Sequence, residues 1–305
     1  MPPTDQPSSP TGNIYDLGYR RYDGVRLGRG YAVTQLYLHS LRAVFGLGRR
    51  NSSKIIPIGL AIITLIPAVI QLGIAAIANN IVEVFSAESY YGYIQWPLAL
   101  FVSAVAPEVV GRDQRNHTLT LYFSRSLKRG DYAIAKMAAI TTGLLLLTLI
   151  PQALLFFGNA LAGNDIPGYL GDNWTDIGPI LSAGALISLL MSGISLAIAA
   201  QTPRRAYATG AILAYWAIST TVGAILVHIS DGGVIQQYVL LLSGFHTMRG
   251  LTFWMFDFDP GFGAGGPGGD LVLANLDFYW YAIAASAITL LTSWLVYRRY
   301  QRVAA

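Results

Sequence analysis

Six apolar blocks, each roughly twenty residues long, leave this 305-residue chain little choice of architecture: Ile55–Ala78, Gly92–Val110, Ala133–Gly158, Pro179–Ala200, Tyr207–His228 and Phe278–Tyr297. A helix rises about 1.5 Å per residue, so such a block matches a hydrocarbon core about 30 Å thick. Inside that core every backbone N–H and C=O must be paired, which a helix achieves within one segment and an open strand does not. Only 12% of the residues are charged, against about 25% in soluble proteins, too few to clothe a soluble globule of this size. The second block is the weakest, because Gln95, Pro97 and Pro107 interrupt it.

Basic residues set the expected orientation, since Lys and Arg collect on the cytoplasmic side of membrane helices. Eight precede the first span, five lie in Gly111–Tyr132, Arg204 and Arg205 separate spans four and five, and Arg298, Arg299 and Arg302 follow the sixth. That is 18 of the 20, while Asn79–Tyr91 and Asn159–Gly178 hold none. Ten of the 16 acidic residues fall in the three opposite loops. Both termini are therefore expected in the cytoplasm, with the chain in a bacterial plasma (inner) membrane. The pI near 9.2 follows from this bias and from a basic surface beside anionic lipid, so no nucleic-acid partner is implied. The first apolar run begins too late, at Ile55, for a cleavable signal peptide.

Residues 1–54 read as a cytoplasmic arm and 55–305 as the six-span domain. Met1–Gly12 has the composition of a disordered tail, and Ile14–Arg29 (IYDLGYRRYDGVRLGR) interleaves tyrosine with arginine, suited to lipid headgroups or to a cytoplasmic partner. From Gly30 to Phe45, Val33, Leu36, Tyr37, Leu41 and Val44 fall near one face, predicting an interfacial helix. In the outer connection, 229–277, Val234–Ser243 and Gly250–Phe256 are apolar but too short to span, hence re-entrant or interfacial. The run Gly261–Gly269 reads as a flexible strap.

Catalytic signatures are missing from the sequence. There is no cysteine, no H-E-x-x-H, and no Gly-Lys-[Ser/Thr] phosphate cradle. The four histidines are dispersed, and Asp257, Asp259 and Asp270 lack the order of a calcium loop, so they read as solvated and no metal site is expected. Charges within the spans are confined to Glu108 and Lys136, both at cytoplasmic ends. With no acid near the midplane, a proton- or sodium-driven carrier is disfavoured. Glu108 and Lys136 could pair and stiffen the hinge there. Thr64, Gln71 and Tyr215 are candidate lining residues for a path. The rows Gly184, Ser188, Ser192 and Ala206, Gly210, Ala214 permit close helix approach, within one chain or against a second.

The most informative segment is Pro107–Lys136, PEVVGRDQRNHTLTLYFSRSLKRGDYAIAK, charged, then amphipathic, then basic. A short helix starting near Arg112 would present Asp113 and Arg115, with Leu119, Leu121 and Phe123 holding it to the spans. The segment resembles the cytoplasmic connector of type-2 ATP-binding-cassette (ABC) exporter permeases. Asp113, Arg115, Thr118, Leu119, Ser124, Arg129 and Lys136 fall on that family's positions, with His117 in place of a glycine and Ser126 in place of a proline. The tyrosine-rich arm resembles the N-terminal extension of a subset of these permeases.

The resemblance implies an all-α integral membrane protein: six transmembrane helices, the interfacial helix, a coupling helix at 111–132 between spans two and three, and re-entrant pieces before span six. It implies an exporter subunit that is not itself an enzyme. ATP and Mg would sit on a separate ABC ATPase subunit, and a second permease subunit would complete a substrate path. Asp113, Arg115, Thr118, Leu119, Phe123, Arg125 and Arg129 would form the ATPase-coupling interface. Two other classes remain open, a membrane-embedded enzyme and a non-transport assembly or scaffold factor.

Overall fold

Each apolar block forms a helix, and the computed structural model describes residues 24, 27–48, 51–78, 86–116, 118–124, 127–162, 166–230, 233–260 and 267–302. The expectations placed on residues 1–23, on 25 and 26, on His117, Arg125 and Ser126, and on 261–266 lie outside the described residues. In chain order the helices are α1 (Arg29–Val44), α2 (Ser52–Ala78), α3 (Ala87–Arg115), α4 (Leu119–Phe123), α5 (Arg129–Ala162), α6 (Ile166–Asn173) and α7 (Ile177–Ala199). They continue with α8 (Arg205–Ile229), α9 (Val234–Tyr238), α10 (Gly244–Met255), α11 (Pro267–Ala274) and α12 (Tyr279–Gln301). Among the described residues there is no strand. Six helices, α2, α3, α5, α7, α8 and α12, are long and apolar enough to cross a membrane, the architecture of a multi-pass membrane protein.

Burial sets two groups apart among these six, with α5, its apolar window 50% buried, between them. The apolar windows of α3 and α7 are 72% and 67% buried, whereas those of α2, α8 and α12 are only 22% buried. The central helices thus face protein and the peripheral ones present Ile, Leu and Val outward, as lipid contact requires. This explains the weak apolar signal of the second span. Its Gln95 and Ser103 are buried against neighbours, and α3 runs unbroken through Pro97 and Pro107, which surrounding helices make tolerable.

Helix α1 lies along α5 and buries Leu36 and Val44 of the face marked out by periodicity, together with Ser40, while Val33, Tyr37 and Leu41 are partly buried. Tyr37 donates to Thr142 Oγ1 at 3.0 Å, and a Cβ on Gly143 would meet Val44 Cγ1 at 2.6 Å. The turn into α2 requires Gly46: its φ is +67°, and a Cβ there would lie 2.6 Å from the Ser53 carbonyl oxygen. Small residues seat α7 on α5 as well. Gly184 faces Leu149, and Thr141 and Ser192 share a 2.7 Å hydrogen bond. The Gly184–Ser188–Ser192 row is therefore packing within one chain. By contrast Gly210 faces open space.

The outer connection is largely helical. Its first apolar piece forms α9 and a 3₁₀ turn, Val239–Leu242, and its second forms the end of α10 with Phe256 just beyond it. The described end of the glycine-rich run is not a strap: Pro267, Gly268 and Gly269 open α11, where a first-position proline suits a helix start. Helix α10 docks so closely on α12 that a Cβ on Gly250 would lie 2.3 Å from Cγ of the fully buried Tyr281. Gly250→Val is expected to cost about 1–3 kcal/mol by overpacking, read as a lowered thermal unfolding midpoint in detergent. An unchanged midpoint would mean that α10 is not seated there.

Candidate functional site at the basic end of the bundle

Helix α3 does not stop with its apolar run at Val110 but continues to Arg115. The expected short helix beginning near Arg112 is thus the last turn of a long one, and the separate short helix is α4, Leu119–Phe123. The reason is local: nothing from Gly111 to Arg115 breaks a helix outright, and Arg112 and Arg115 favour its C-terminal turn. Thr118 then closes it, its N–H and Oγ1 donating to the Asp113 carbonyl at 3.1 and 3.2 Å.

This continuation decides where the charges point. Val109 and Asp113 lie one turn apart and face α5 together. Lys136, almost wholly buried, places Nζ 2.8 Å from Asp113 Oδ2 and 3.0 Å from the Val109 carbonyl oxygen. Tyr132 donates to the same carboxylate oxygen at 2.8 Å, and the Lys136 ammonium lies 5.3 Å from the Tyr132 ring centroid. Two expectations change. Lys136 pairs with Asp113, while Glu108 takes Arg205, 3.3 Å away on α8. Asp113 is turned inward as a structural ion, so it is not available as a docking residue.

Tyr132 is the hub of this end. Its ring packs on Tyr122, Phe123 and Tyr300, and burial pushes the Tyr122 phenol above its ordinary value. Gln114 donates to Tyr300 Oη and to the Ala200 carbonyl. Arg129 donates to the Gln301 carbonyl at 3.0 Å and lies over the Phe123 ring. Arg29 grips Asp131 through two bonds of 2.6 and 2.7 Å, an ion pair that raises the guanidinium's pKa. The ends of α1, α3, α5, α7 and α12 are thereby locked around α4. Leu119 is buried and Phe123 half-buried, but Leu121 is 66% exposed, so it does not hold α4 to the spans. Leu121 and the exposed Arg115 face outward from this locked end. Between α1 and α4 lies a groove of about 660 Å³ that Leu121, Tyr122, Leu27 and Tyr31 help to line.

The candidate path residues do not converge. The Thr64 hydroxyl bonds back to the Ala61 carbonyl, and Thr64's own carbonyl accepts the Tyr90 hydroxyl. Tyr215 lies on α8 against Trp216. Gln71 is buried at the opposite, acidic end, where it lines a polar cavity.

That end also holds an arrangement the sequence reading missed. His246 Nε2 is 2.9 Å from Asp270 Oδ2 and its Nδ1 is 2.7 Å from Ser243 Oγ. A carboxylate only accepts, so Nε2 carries the proton and Nδ1 accepts from Ser243. His228 approaches the other Asp270 oxygen at 3.7 Å. Asp270 is therefore a buried partner rather than a solvated loop carboxylate, and two of the dispersed histidines meet on it. Ser243 and His246 are at most 1% exposed. The trio ties α10 to α11, and His228 and Thr220 add α8 to the clasp. The only hint in the sequence was Ser243 three residues before His246.

Among the described residues no three His, Cys, Asp or Glu side chains gather as a metal-holding group. No protein-family model matches the chain, and no curated protein matches it.

Proposed function

We propose that the chain is the membrane-spanning subunit of an ATP-driven exporter, coupled to a separate ABC ATPase through 111–132. The carrying observation is the locked basic end. Force applied to α4 reaches α3 and α5 through the Asp113–Lys136–Tyr132 cluster and α12 through Tyr300 and Gln301. A docked lever needs this stiffness, whereas a passive connector does not. The basic end is then cytoplasmic, in a bacterial inner membrane, with both termini inside. ATP and Mg reside on the ATPase, and this chain has no catalytic role. A second permease subunit completes the substrate path, and the open Ala206–Gly210–Ala214 row on α8 is its candidate seam.

Docking on the ATPase falls to Leu121 and Arg115, because Asp113 faces inward. The tagged chain, extracted gently from its native host, is expected to bring down an ATPase in equal amount. Leu121→Glu with Arg115→Glu is expected to cut that yield at least tenfold while leaving the chain's own yield intact. A chain that purifies without an ATPase would move the assembly-factor reading to first place.

A further inference from the structure

At the acidic end, α2, α3, α5, α6 and α7 enclose a cavity of about 210 Å³ whose lining is mostly polar. Glu88 from the start of α3 and Asp176 from the turn before α7 place two carboxylates on its wall. Phe156 and Tyr169, in edge contact at 5.9 Å between centroids, give it an aromatic side. Gln152 on α5 is fully buried and also lines it. The Gln152 amide nitrogen donates to the Ala87 carbonyl at 2.8 Å, but its Oε1 has no hydrogen-bond partner. A buried acceptor left unpaired is costly, and because Gln152 borders this cavity a ligand held there is a source of the missing donor.

Charge indicates the kind of donor. Among the described residues of the two loops that meet here, 86–91, 159–162 and 166–178 carry Glu88, Asp172 and Asp176 and no Lys or Arg. Arg249, the basic side chain that approaches from α10, is committed to the carbonyl oxygens of Glu88 and Ser89 and to the Phe253 ring. We propose that this cavity binds an organic ammonium group. Its N–H donors would satisfy Gln152 Oε1, its charge would be balanced by Glu88 and Asp176, and its carbon-bearing side would rest on Phe156 and Tyr169. The ammonium could belong to a free amine or to an ethanolamine lipid headgroup. The assignment does not depend on an ATPase partner.

The test uses the full chain in two arms. Protein in detergent is titrated calorimetrically with ethanolamine hydrochloride. Protein from nanodiscs holding equal phosphatidylethanolamine and phosphatidylglycerol is weighed by native mass spectrometry for retained lipid. Binding is expected in at least one arm, weakened tenfold or more by Asp176→Asn and by Gln152→Leu. Asp176 is partly exposed, so its variant carries the test if the buried Gln152 variant unfolds. Ethanolamine binding identifies a free amine, and retention of the ethanolamine lipid without it identifies a headgroup. No binding in either arm, equal retention of both lipids without ethanolamine binding, or binding unchanged in Asp176→Asn would overturn the assignment.

Discussion

Replacing Lys136 with methionine is expected to destabilise the protein by about 3–5 kcal/mol, because it leaves the Asp113 carboxylate largely buried without its cation. Tyr132 still donates to that oxygen, but one neutral hydroxyl does not balance a charge. Asp113→Asn should be comparably harmful, since it strands an ammonium that is only 3% exposed. The double variant Asp113→Asn, Lys136→Met removes both charges and should recover most of the lost stability. Unfolding midpoints in detergent for the four proteins form a double-mutant cycle. Additive losses would mean that the two groups do not interact in the folded protein. Under the transport reading the double variant should still lose coupling, since the node between α3 and α5 is softened while the fold survives.

The second large effect belongs to His246. Leucine there leaves the Ser243 hydroxyl and the Asp270 carboxylate without their shared partner. The expected loss is about 2–4 kcal/mol, chiefly from a buried carboxylate left with only His228 at 3.7 Å, since the Ser243 hydroxyl keeps Thr220 at 3.4 Å. The pH dependence gives an independent readout. Burial lowers the His246 pKa and Asp270 opposes part of that shift. A histidine held neutral in the fold takes up its proton more readily when unfolded. The unfolded state thus binds more protons between the lowered value and the ordinary value near 6.5. Stability from His246 is complete above about pH 6.5 and declines as pH falls below it. Wild type should lose stability on acidification across that window, and His246→Leu should lose less. A variant with the wild-type slope would show that His246 is not the titrating group.

How much of this could be read from residues alone differs between fold and site. Block length and the distribution of Lys and Arg are enough to place six helices, because a bilayer imposes one length and one kind of backbone pairing. Helix ends were less legible. The apolar run stops at Val110, yet α3 continues to Arg115, since polar residues outside the hydrocarbon remain free to stay helical. That five-residue extension is what turns Asp113 toward Lys136, so the error in the boundary became an error in the ion pair. Lys136 stood out as a charge at the end of a span, but its partner depends on helical register. The outer cavity and the His246 clasp are assembled from elements separated in the chain; Asp270 reaches His246 from 24 residues away across a glycine-rich run. No spacing rule announces such meetings.

The exporter reading rests on α4 being where an ATPase could reach it. The chain has no cysteine, so single cysteines report their surroundings without background. Leu121 and Trp174 are each 66% exposed and belong to opposite ends of the bundle. Leu121→Cys and Trp174→Cys are to be labelled in cells with a membrane-impermeant maleimide, the outer membrane permeabilised and the inner one intact. The account predicts that Trp174→Cys reacts at once and that Leu121→Cys reacts only after the inner membrane is opened. Labelling of Leu121→Cys in sealed cells would put α4 on the wrong side of the membrane and contradict the coupling role.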